Sequence, residues 1–426
     1  MARFIVEGGT PLRGEITPAG NKNSALPLIA ATLLTDEPVT LRNLPRIRDV
    51  RGMLEILVGL GASVEELDPH GVRITTANVT RTAIDPALSR EIRTSLLFAG
   101  PMLARFKQVT LGPPGGDVLG RRRVDPHFHA LSALGAAFEV RSDGYGLAAP
   151  ALKGADILLD EPSVTATENA ILCAVLAPGR TTIRNAASEP HVQELSMVLA
   201  RMGARIVGMG TNTITIDGAE RLRGVDHTVW NDHMEVGTLV GLAAMTHGEI
   251  TIRNCAPRHL RMIQAVFARL GVDTEVHGED LFVPAKERYC VKREIDGGIP
   301  KVQAQVWPGF PSDLTSIATA LATQCEGTTL IHEWMYPSRM YWVDSLIGMG
   351  AQAVVCDPHR VVVIGPSPLF GTEVRSPDIR AGGALLGAAL CAKGTSVMNQ
   401  IEQIDRGYEA LDERLNRLGA KIERVA

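Results

Sequence analysis

The 426-residue sequence is poor in aromatic side chains, since phenylalanine, tryptophan and tyrosine together make up 4% of it. Proteins that bind single-stranded nucleic acid use such side chains as stacking surfaces, so this class of protein is disfavoured. The formal net charge is only -4, which gives no overall attraction for nucleic acid or for an anionic membrane. An anionic small molecule would therefore have to be held by a local cluster of arginine and lysine.

Paired cysteines and long apolar runs are also missing. The six cysteines are scattered without a Cys-x-x-Cys motif, which disfavours a disulfide framework and a cysteine metal site. The His127-x-His129 pair has no third ligand close by in the sequence, so no metal site is expected there. The N-terminal MARFIVEGGTPLRG lacks the apolar segment of a secretory signal, and no apolar run approaches the ~20 residues of a membrane span. These features predict a cytoplasmic protein with reduced thiols.

The main feature that the sequence does contain is a sixfold repeat. Six times, Leu or Met is followed by a glycine and a small residue at the end of an apolar helical stretch. The glycines lie between 68 and 79 residues apart, at Gly61, Gly135, Gly203, Gly271, Gly350 and Gly419. Glycine in this place is a typical helix C-cap. A β-type phrase precedes each such helix, VTLRN in the first repeat and VTLGP, TTIRN, ITIRN, TTLIH and TSVMN in the others. The pattern predicts six βαβαββ units, the first of which begins at GEIT.

Six units of this length favour two globular domains of three units each over a solenoid. The last unit supplies only one strand of its final hairpin, AKIERVA, and the first residues, RFIVEGGTPLRG, resemble the missing partner. We therefore expect a discontinuous domain of residues 1–21 and 231–426, closed by the N-terminal hairpin, and a second domain of residues 22–230.

Charged residues stand at corresponding places, where the apolar helices are expected to begin. They are Lys22, Arg93, Glu168, Glu235, Asp313 and Arg380 for the first helices, and Arg122, Arg123, Asp125, Glu189, Arg339 and Arg406 for the second helices. Carboxylates suit helix N-termini, so Glu189 and Glu235 are equally well explained as caps or surface charges. Arginine at the same place opposes the helix dipole, which indicates that an anionic ligand binds there.

Several longer phrases together resemble one family over essentially the whole chain. They are GNKNSALPLIAATLL, PPGGDVLGRRRVDPH, PSVTATENA, NAASEPHV, NDHMEVGT, WPGFPSDL, SPDIRAGGALL and QIDRGYEALDERLNRLGAKIERV. The chain is similar to the UDP-N-acetylglucosamine 1-carboxyvinyltransferase family, the enolpyruvyl transferases that catalyse the first committed step of bacterial peptidoglycan synthesis. The resemblance implies an α/β fold of two inside-out barrel domains, each with three βαβαββ units in threefold pseudo-symmetry, and an active site in the interdomain cleft.

The reaction that this resemblance implies is enolpyruvyl transfer from phosphoenolpyruvate to the 3-hydroxyl of UDP-N-acetylglucosamine, with release of phosphate and without a metal or organic cofactor. Asp313 would be the base, or the hydroxyl-orienting carboxylate, on the acceptor, and Lys22 would contact phosphoenolpyruvate. Arg122, Arg380 and Arg406 would clamp phosphate and carboxylate, which fit the arginine fork. By the same resemblance, Asn23 would contact the sugar nucleotide, and Arg93 and Arg339 match further arginines of the family's cleft. The nucleotide would lie along two segments, with Met335 nearby: Arg122, Arg123, Val124, Asp125 and Pro126, and Ser163, Val164 and Thr165. No nucleic acid, membrane or protein partner is indicated.

Two positions depart from the family pattern. Most members carry cysteine in the loop after the glycine pair, where this chain has Asp117. A minority of members has aspartate there, so Asp117 is expected to be catalytic. The usual Arg-Pro pair is Arg122-Arg123 here, which leaves room for a different acceptor. The alternatives are a paralogue acting on another nucleotide or on a shikimate-type acceptor and, from another class, a catalytically silent UDP-sugar sensor.

Asp117 predicts resistance to fosfomycin, the epoxide antibiotic that alkylates the loop cysteine of the family. A carboxylate attacks an epoxide far less readily than a thiolate does. The native protein should therefore keep its activity in the presence of fosfomycin, and the Asp117→Cys protein should be inactivated. Aspartate also has the lower unperturbed pKa, ~3.9 against ~8.5 for cysteine, so the substitution should move the pH optimum upward. Time-dependent inactivation of both proteins with nucleotide present is the measurement. Equal inactivation of the two would remove Asp117 from its assigned position.

Overall fold

The computed structural model describes residues 2–115 and 123–425. Asp117 and Arg122, two of the residues with predicted roles, lie outside the described residues. The chain divides into two compact units. Unit 1 contains Met1–Ala19 and Asn231–Ala426, and unit 2 contains Gly20–Gly116 and Arg123–Trp230.

The helices follow the predicted pattern of two main helices in each repeat. Those of unit 2 are α1 (Lys22–Ala31), α2 (Arg48–Leu60), α3 (Pro86–Glu91), α4 (Ala99–Phe106), α5 (Asp125–Ala133), α6 (Val164–Ala174) and α7 (Pro190–Arg201). Those of unit 1 are α8 (His233–Met245), α9 (Arg261–Arg269), α10 (Thr315–Ala322), α11 (Val343–Gly348), α12 (Ile379–Cys391) and α13 (Leu411–Asn416). Across the described ranges, none of these helices combines the length and the apolar character needed to cross a membrane.

The six repeat glycines end their helices as predicted. Each follows its helix within three residues and has a positive φ, between 87° and 113°. Glycine takes up this left-handed conformation without the steric cost that a Cβ atom brings. The chain therefore turns from helix to hairpin at the same point of every repeat.

The described strands form six separate sheets, three in each unit. In unit 2 the spatial orders are β13 (Asp226–Thr228), β3 (Val39–Arg42), β5 (Gly71–Thr75), β4 (Ser63–Asp68); β6 (Gln108–Leu111), β8 (Gly144–Ala148), β7 (Ala137–Arg141); and β11 (Arg205–Val207), β12 (Thr213–Asp217), β10 (Arg180–Arg184), β9 (Asp156–Leu158). In unit 1 they are β15 (Glu275–His277), β16 (Asp280–Val283), β14 (Glu249–Ile252), β2 (Arg13–Ile16); β17 (Lys301–Gln303), β18 (Gly327–His332), β20 (Arg360–Gly365), β19 (Gln352–Asp357); and β21 (Glu373–Arg375), β22 (Thr395–Asn399), β1 (Arg3–Glu7), β23 (Lys421–Val425).

Two strands, β2 and β13, pair with strands of a repeat that is distant from them in the sequence. β2 pairs in parallel with β14 of the fourth repeat, so the prediction that GEIT begins the first unit is wrong. β13, which follows the third repeat, pairs in parallel with β3 of the first repeat. The chain thus adds one strand to each unit before it leaves that unit. β1 lies between β22 and β23, so the first strand of the chain completes the last sheet.

The first helices of the repeats form the interior of each unit. All thirteen residues of α8 are buried, and so are all residues of α12 except the last. α8, α10 and α12 pack against one another in unit 1, and α4 packs against α6 in unit 2. A helix that is apolar on all sides belongs in an interior. The predicted inside-out α/β arrangement of three repeated units is therefore confirmed. No described sheet closes on itself. Each unit is therefore built from three separate sheets around helices, and the described strands form no closed ring.

Candidate active site

Unit 1 holds a carboxylate between two guanidinium groups. Arg339 Nη1 lies 2.9 Å from Asp313 Oδ1, and Arg380 Nε lies 2.9 Å from Asp313 Oδ2. The two arginine side chains are 4% and 7% exposed, and the Asp313 side chain is 29% exposed. Ionised donors and acceptors make the stronger class of protein hydrogen bond. The cluster brings together three residues for which the sequence predicted substrate contacts.

The two arginines determine the charge of Asp313. Burial by itself would raise the pKa of this carboxyl group, but the positive charges of Arg380 and Arg339 outweigh burial and hold the pKa well below its usual range. Asp313 is therefore an anion at neutral pH. It can accept a hydrogen bond from a hydroxyl group, but it is a weak base while both arginines contact it.

Glu333 fixes the turn that presents Asp313. This carboxylate is fully buried, and one of its oxygens accepts hydrogen bonds from Ser312 Oγ at 2.6 Å and from Thr315 Oγ1 at 3.2 Å. Its other oxygen accepts from the backbone N–H of Met335 at 2.9 Å. Glu333 thus orders both the 3₁₀ turn before α10 and the loop of the predicted nucleotide contact Met335. No sequence motif pointed to Glu333.

The arginines of unit 1 do not all stand at helix starts. Arg380 is the second residue of α12, and its backbone N–H donates to the capping residue Asp378 at 2.8 Å. Arg339 lies four residues before α11, and Arg406 ends a 3₁₀ helix five residues before α13. The prediction that these two open a helix is therefore wrong, because loop packing and not a helix start brings them into the interior. Arg406 is 8% exposed, and its Nη1 donates to Gln403 Oε1 at 3.3 Å.

In unit 2, Lys22 opens α1 as predicted. The side chain of Asn21 caps this helix and accepts the backbone N–H of Asn23 at 2.9 Å. Lys22 Nζ lies 2.7 Å from Asp49 Oδ2, with side chains 11% and 5% exposed. Asp49 stands in the first turn of α2, where the helix dipole favours a carboxylate. No motif in the sequence pointed to Asp49 as this partner, although an acidic residue in a first turn was a usable signal.

Arg93 and Arg123 are linked to each other. Arg93 opens a 3₁₀ helix ahead of α4, and its Nη2 donates to the backbone carbonyl of Arg123 at 2.8 Å. Arg123 Nη1 lies 2.9 Å from Asp160 Oδ2, and its Nε lies 3.5 Å from Asp125 Oδ2. The arginine that stands in place of the family's proline is therefore balanced by two carboxylates.

The two predicted nucleotide segments, 123–126 and 163–165, lead into α5 and α6. Thr165 Oγ1 lies 3.1 Å from His127 Nε2, and Asn169 Nδ2 lies 3.0 Å from His127 Nδ1. The amide nitrogen of Asn169 can only donate, so Nδ1 accepts and Nε2 carries the proton that is donated to Thr165. His127 thereby orients a predicted nucleotide contact, and both of its ring nitrogens are engaged in hydrogen bonds. Among the described residues, no three potential ligands group as a metal site.

Two glutamates of unit 2 have raised pKa values. Glu168 is the fifth residue of α6, not its start as predicted, and is 1% exposed. Burial raises the pKa of Glu189, the N-cap residue of α7, to about 7. Burial and the negative charge of Glu189 raise the pKa of Glu168 well above its usual range. Burial also raises the pKa of Glu235 in unit 1, although its Oε1 lies 2.5 Å from Arg414 Nη1, whose positive charge acts in the opposite direction.

Comparison with known proteins gives one family for the whole chain. The model of the family described as EPSP synthase (3-phosphoshikimate 1-carboxyvinyltransferase) matches residues 6–415. The UDP-N-acetylglucosamine 1-carboxyvinyltransferase of Bradyrhizobium diazoefficiens is 52% identical, and the alignment covers 99% of this chain and 98% of the relative. The protein of the same name from Treponema denticola is 50% identical, with 99% of both chains covered.

Solved structures show the same fold. The enolpyruvyl transferase NikO from Streptomyces tendae superimposes with a TM-score of 0.88 at 24% identity, over 100% of this chain and 99% of that chain. EPSP synthase from Acinetobacter baumannii gives a TM-score of 0.76 at 17% identity, over 100% of both chains. At these identities the two structures establish the fold alone.

The raised pKa of Glu189 predicts how the stability of unit 2 depends on pH. Unfolded glutamate ionises near pH ~4.3, whereas folded Glu189 ionises at about 7, so the folded state holds the extra proton between these values. The free energy of unfolding should therefore fall as the pH rises through this interval, by up to about 1.4 kcal/mol per pH unit. Glu189→Gln should lessen the fall.

Urea unfolding at about pH 5 and about pH 8 measures this dependence. Glu220→Gln, which changes an exposed glutamate of the same unit, is the matched control and should leave the dependence as it is. A Glu189→Gln protein with the pH dependence of the native chain would contradict a buried, proton-holding Glu189.

Proposed function

Because the chain belongs to the enolpyruvyl transferase family, we propose that it transfers the enolpyruvyl group of phosphoenolpyruvate to the 3-hydroxyl of UDP-N-acetylglucosamine and releases phosphate. The observation that carries this proposal is 52% identity to a relative of that name over 99% of the chain. The protein is accordingly an enzyme, and the proposed reaction is the first committed step of peptidoglycan synthesis.

The acceptor hydroxyl is the first group that this chemistry must orient. Asp313 is an anion with partial exposure, held in place by Arg339 and Arg380. An ionised carboxylate accepts the hydrogen bond of a hydroxyl group and directs its oxygen lone pair toward the enolpyruvyl carbon. The pKa of Asp313, held down by two arginines, favours this orienting role over full removal of the proton before attack.

The donor brings a phosphate and a carboxylate, which require fixed cations. Arg380 and Arg406 in unit 1 and Lys22 in unit 2 are at least nine-tenths buried, and such preorganised charges stabilise the phosphate as it leaves. We assign them to phosphoenolpyruvate together with Arg122. Arg339 Nε is buried and has no hydrogen-bond partner among the described residues, so it remains able to donate to an anion.

The reaction proceeds by addition and elimination. A proton added to the methylene carbon of phosphoenolpyruvate makes C2 electrophilic, the acceptor oxygen bonds to C2, and the adduct then loses phosphate and a proton from the new methyl group. We assign the protonation of carbon to Asp117. The nucleotide contacts in unit 2 would come from Asn23, Arg93 and the segments 123–126 and 163–165, and Met335 would supply one from unit 1. We take the two units to be the two domains of the enzyme.

We propose that the reaction takes place in the cytoplasm. All six cysteines lie within the described residues and are free, which fits a reducing compartment. The partners that the proposal requires are phosphoenolpyruvate and UDP-N-acetylglucosamine.

Choice of acceptor separates the proposal from its alternatives. Phosphate release from phosphoenolpyruvate should depend on UDP-N-acetylglucosamine and should not occur with shikimate 3-phosphate or UMP in its place. Release with shikimate 3-phosphate would instead establish the paralogous transferase. Binding of the UDP sugar without any phosphate release would establish the silent sensor.

Asp313→Asn tests the orienting carboxylate. The amide keeps the shape of the side chain but loses the charge, so kcat should fall by ~10²–10⁴, as is typical when an acid–base group is removed. The affinity for UDP-N-acetylglucosamine should change little, and steady-state kinetics with calorimetric binding measures both. Asp344→Asn, which changes an exposed residue of the same unit, is the control. Retention of more than about half of the native kcat would exclude Asp313 from the mechanism.

A further inference from the structure

A buried series of hydrogen bonds in unit 1 connects Arg380 to two residues, Tyr408 and Thr238, that have no part in the steps above. Arg380 Nη1 donates to Tyr408 Oη at 3.2 Å, and Tyr408 Oη lies 2.8 Å from Thr238 Oγ1. Thr238 Oγ1 also donates to the backbone carbonyl of Met234 at 3.1 Å. Tyr408 and Thr238 are 1% and 2% exposed. These hydrogen bonds therefore link Arg380 on α12 to the backbone of α8 through two side chains that are almost fully buried.

The direction of each of these three hydrogen bonds follows from the groups that form them. A guanidinium group has donors and no acceptor, so Arg380 donates to the Tyr408 oxygen. The single O–H of Tyr408 is then directed at Thr238, and the Thr238 hydroxyl donates to the carbonyl of Met234. Tyr408 consequently presents a lone pair to Arg380 at one position in space.

The ring of Tyr408 is also held in place. Arg380 Cζ lies 5.4 Å from the ring centroid, a distance at which the cation is attracted to the ring. A Cβ atom on Gly383 of α12 would lie 3.3 Å from the ring and its hydroxyl oxygen. Glycine at this position therefore lets the ring approach the helix that carries Arg380.

We propose that Tyr408, supported by Thr238, is a positioning residue for Arg380 in the proposed transfer reaction, on which this inference rests. Arg380 Nε is directed to Asp313 and Nη1 to Tyr408. Two fixed donors on different nitrogens set the plane and the rotation of the guanidinium group. Its Nη2 has no hydrogen-bond partner among the described residues, so its two donors are presented in one orientation to the phosphate or carboxylate of phosphoenolpyruvate. Without the phenol oxygen, Asp313 would be the one remaining hydrogen-bond acceptor for the guanidinium group among the described residues.

Tyr408→Phe removes the oxygen and keeps the ring. It should raise KM for phosphoenolpyruvate by about tenfold, the size expected for a lost hydrogen bond to a charged group. KM for UDP-N-acetylglucosamine should stay close to the native value, while the thermal midpoint should fall modestly because a buried donor of Arg380 loses its acceptor. Thr238→Val, which removes the acceptor of the Tyr408 proton, should act in the same direction, and Thr238→Ser should restore native KM values. Tyr289→Phe, at an equally buried tyrosine of unit 1, should leave both KM values unchanged.

The outcomes separate this inference from the reaction on which it depends. An unchanged KM for phosphoenolpyruvate in both Tyr408→Phe and Thr238→Val, or an equal rise in both KM values, overturns the positioning role. A Tyr289→Phe protein with the same selective rise also overturns it, because the effect would then belong to any buried phenol. Absence of transfer by the native chain would refute the proposed function instead.

Discussion

A helix buried on all sides can carry a charge only near an end, and only where a partner or a raised pKa removes the cost of burying it. This constraint explains where the functional groups stand. α8 and α12 are buried along almost their whole length, and their charged residues fall in the first turn. Glu235 meets Arg414 there, and Arg380 meets Asp313. Glu168, the fifth residue of α6, satisfies the same constraint by a raised pKa, because burial and the negative charge of Glu189 disfavour its charged form.

The same constraint produces a site suited to anions. Arg339 and Arg380 converge on the single carboxylate of Asp313 and are held there before any ligand binds. The phosphate and the carboxylate of the proposed substrate would meet fixed cations, and the arginines would need little rearrangement to bind them. Both the low pKa of Asp313 and its suitability for orienting a hydroxyl group follow from this one arrangement.

Most of the residues that hold the functional groups in place could not be identified from the sequence. Asp49, His127 and Tyr408 each contact a residue with a predicted role that lies on another element. Glu333 binds the turn that contains Asp313 and the backbone of Met335. Asp49 could have been found from its place in the first turn of α2. Glu333 and Tyr408 could not, because a buried polar side chain is recognisable only from the groups that surround it. The family resemblance named Asp313 and Arg380 but not the hydrogen bonds that fix their orientation.

The sequence by itself determined whatever depends on neighbouring residues. The positive φ of the six repeat glycines, the helix that begins at Lys22 and the strands at VTLRN and its five counterparts all followed from local preference and apolar spacing. Only the tertiary structure decided which sheet receives β2 and β13, and why Arg339 and Arg406 are buried although neither opens a helix. Parallel strand pairing and buried ion pairs join residues far apart in the chain, and their free energy depends on distances and on exclusion of water that exist only after folding.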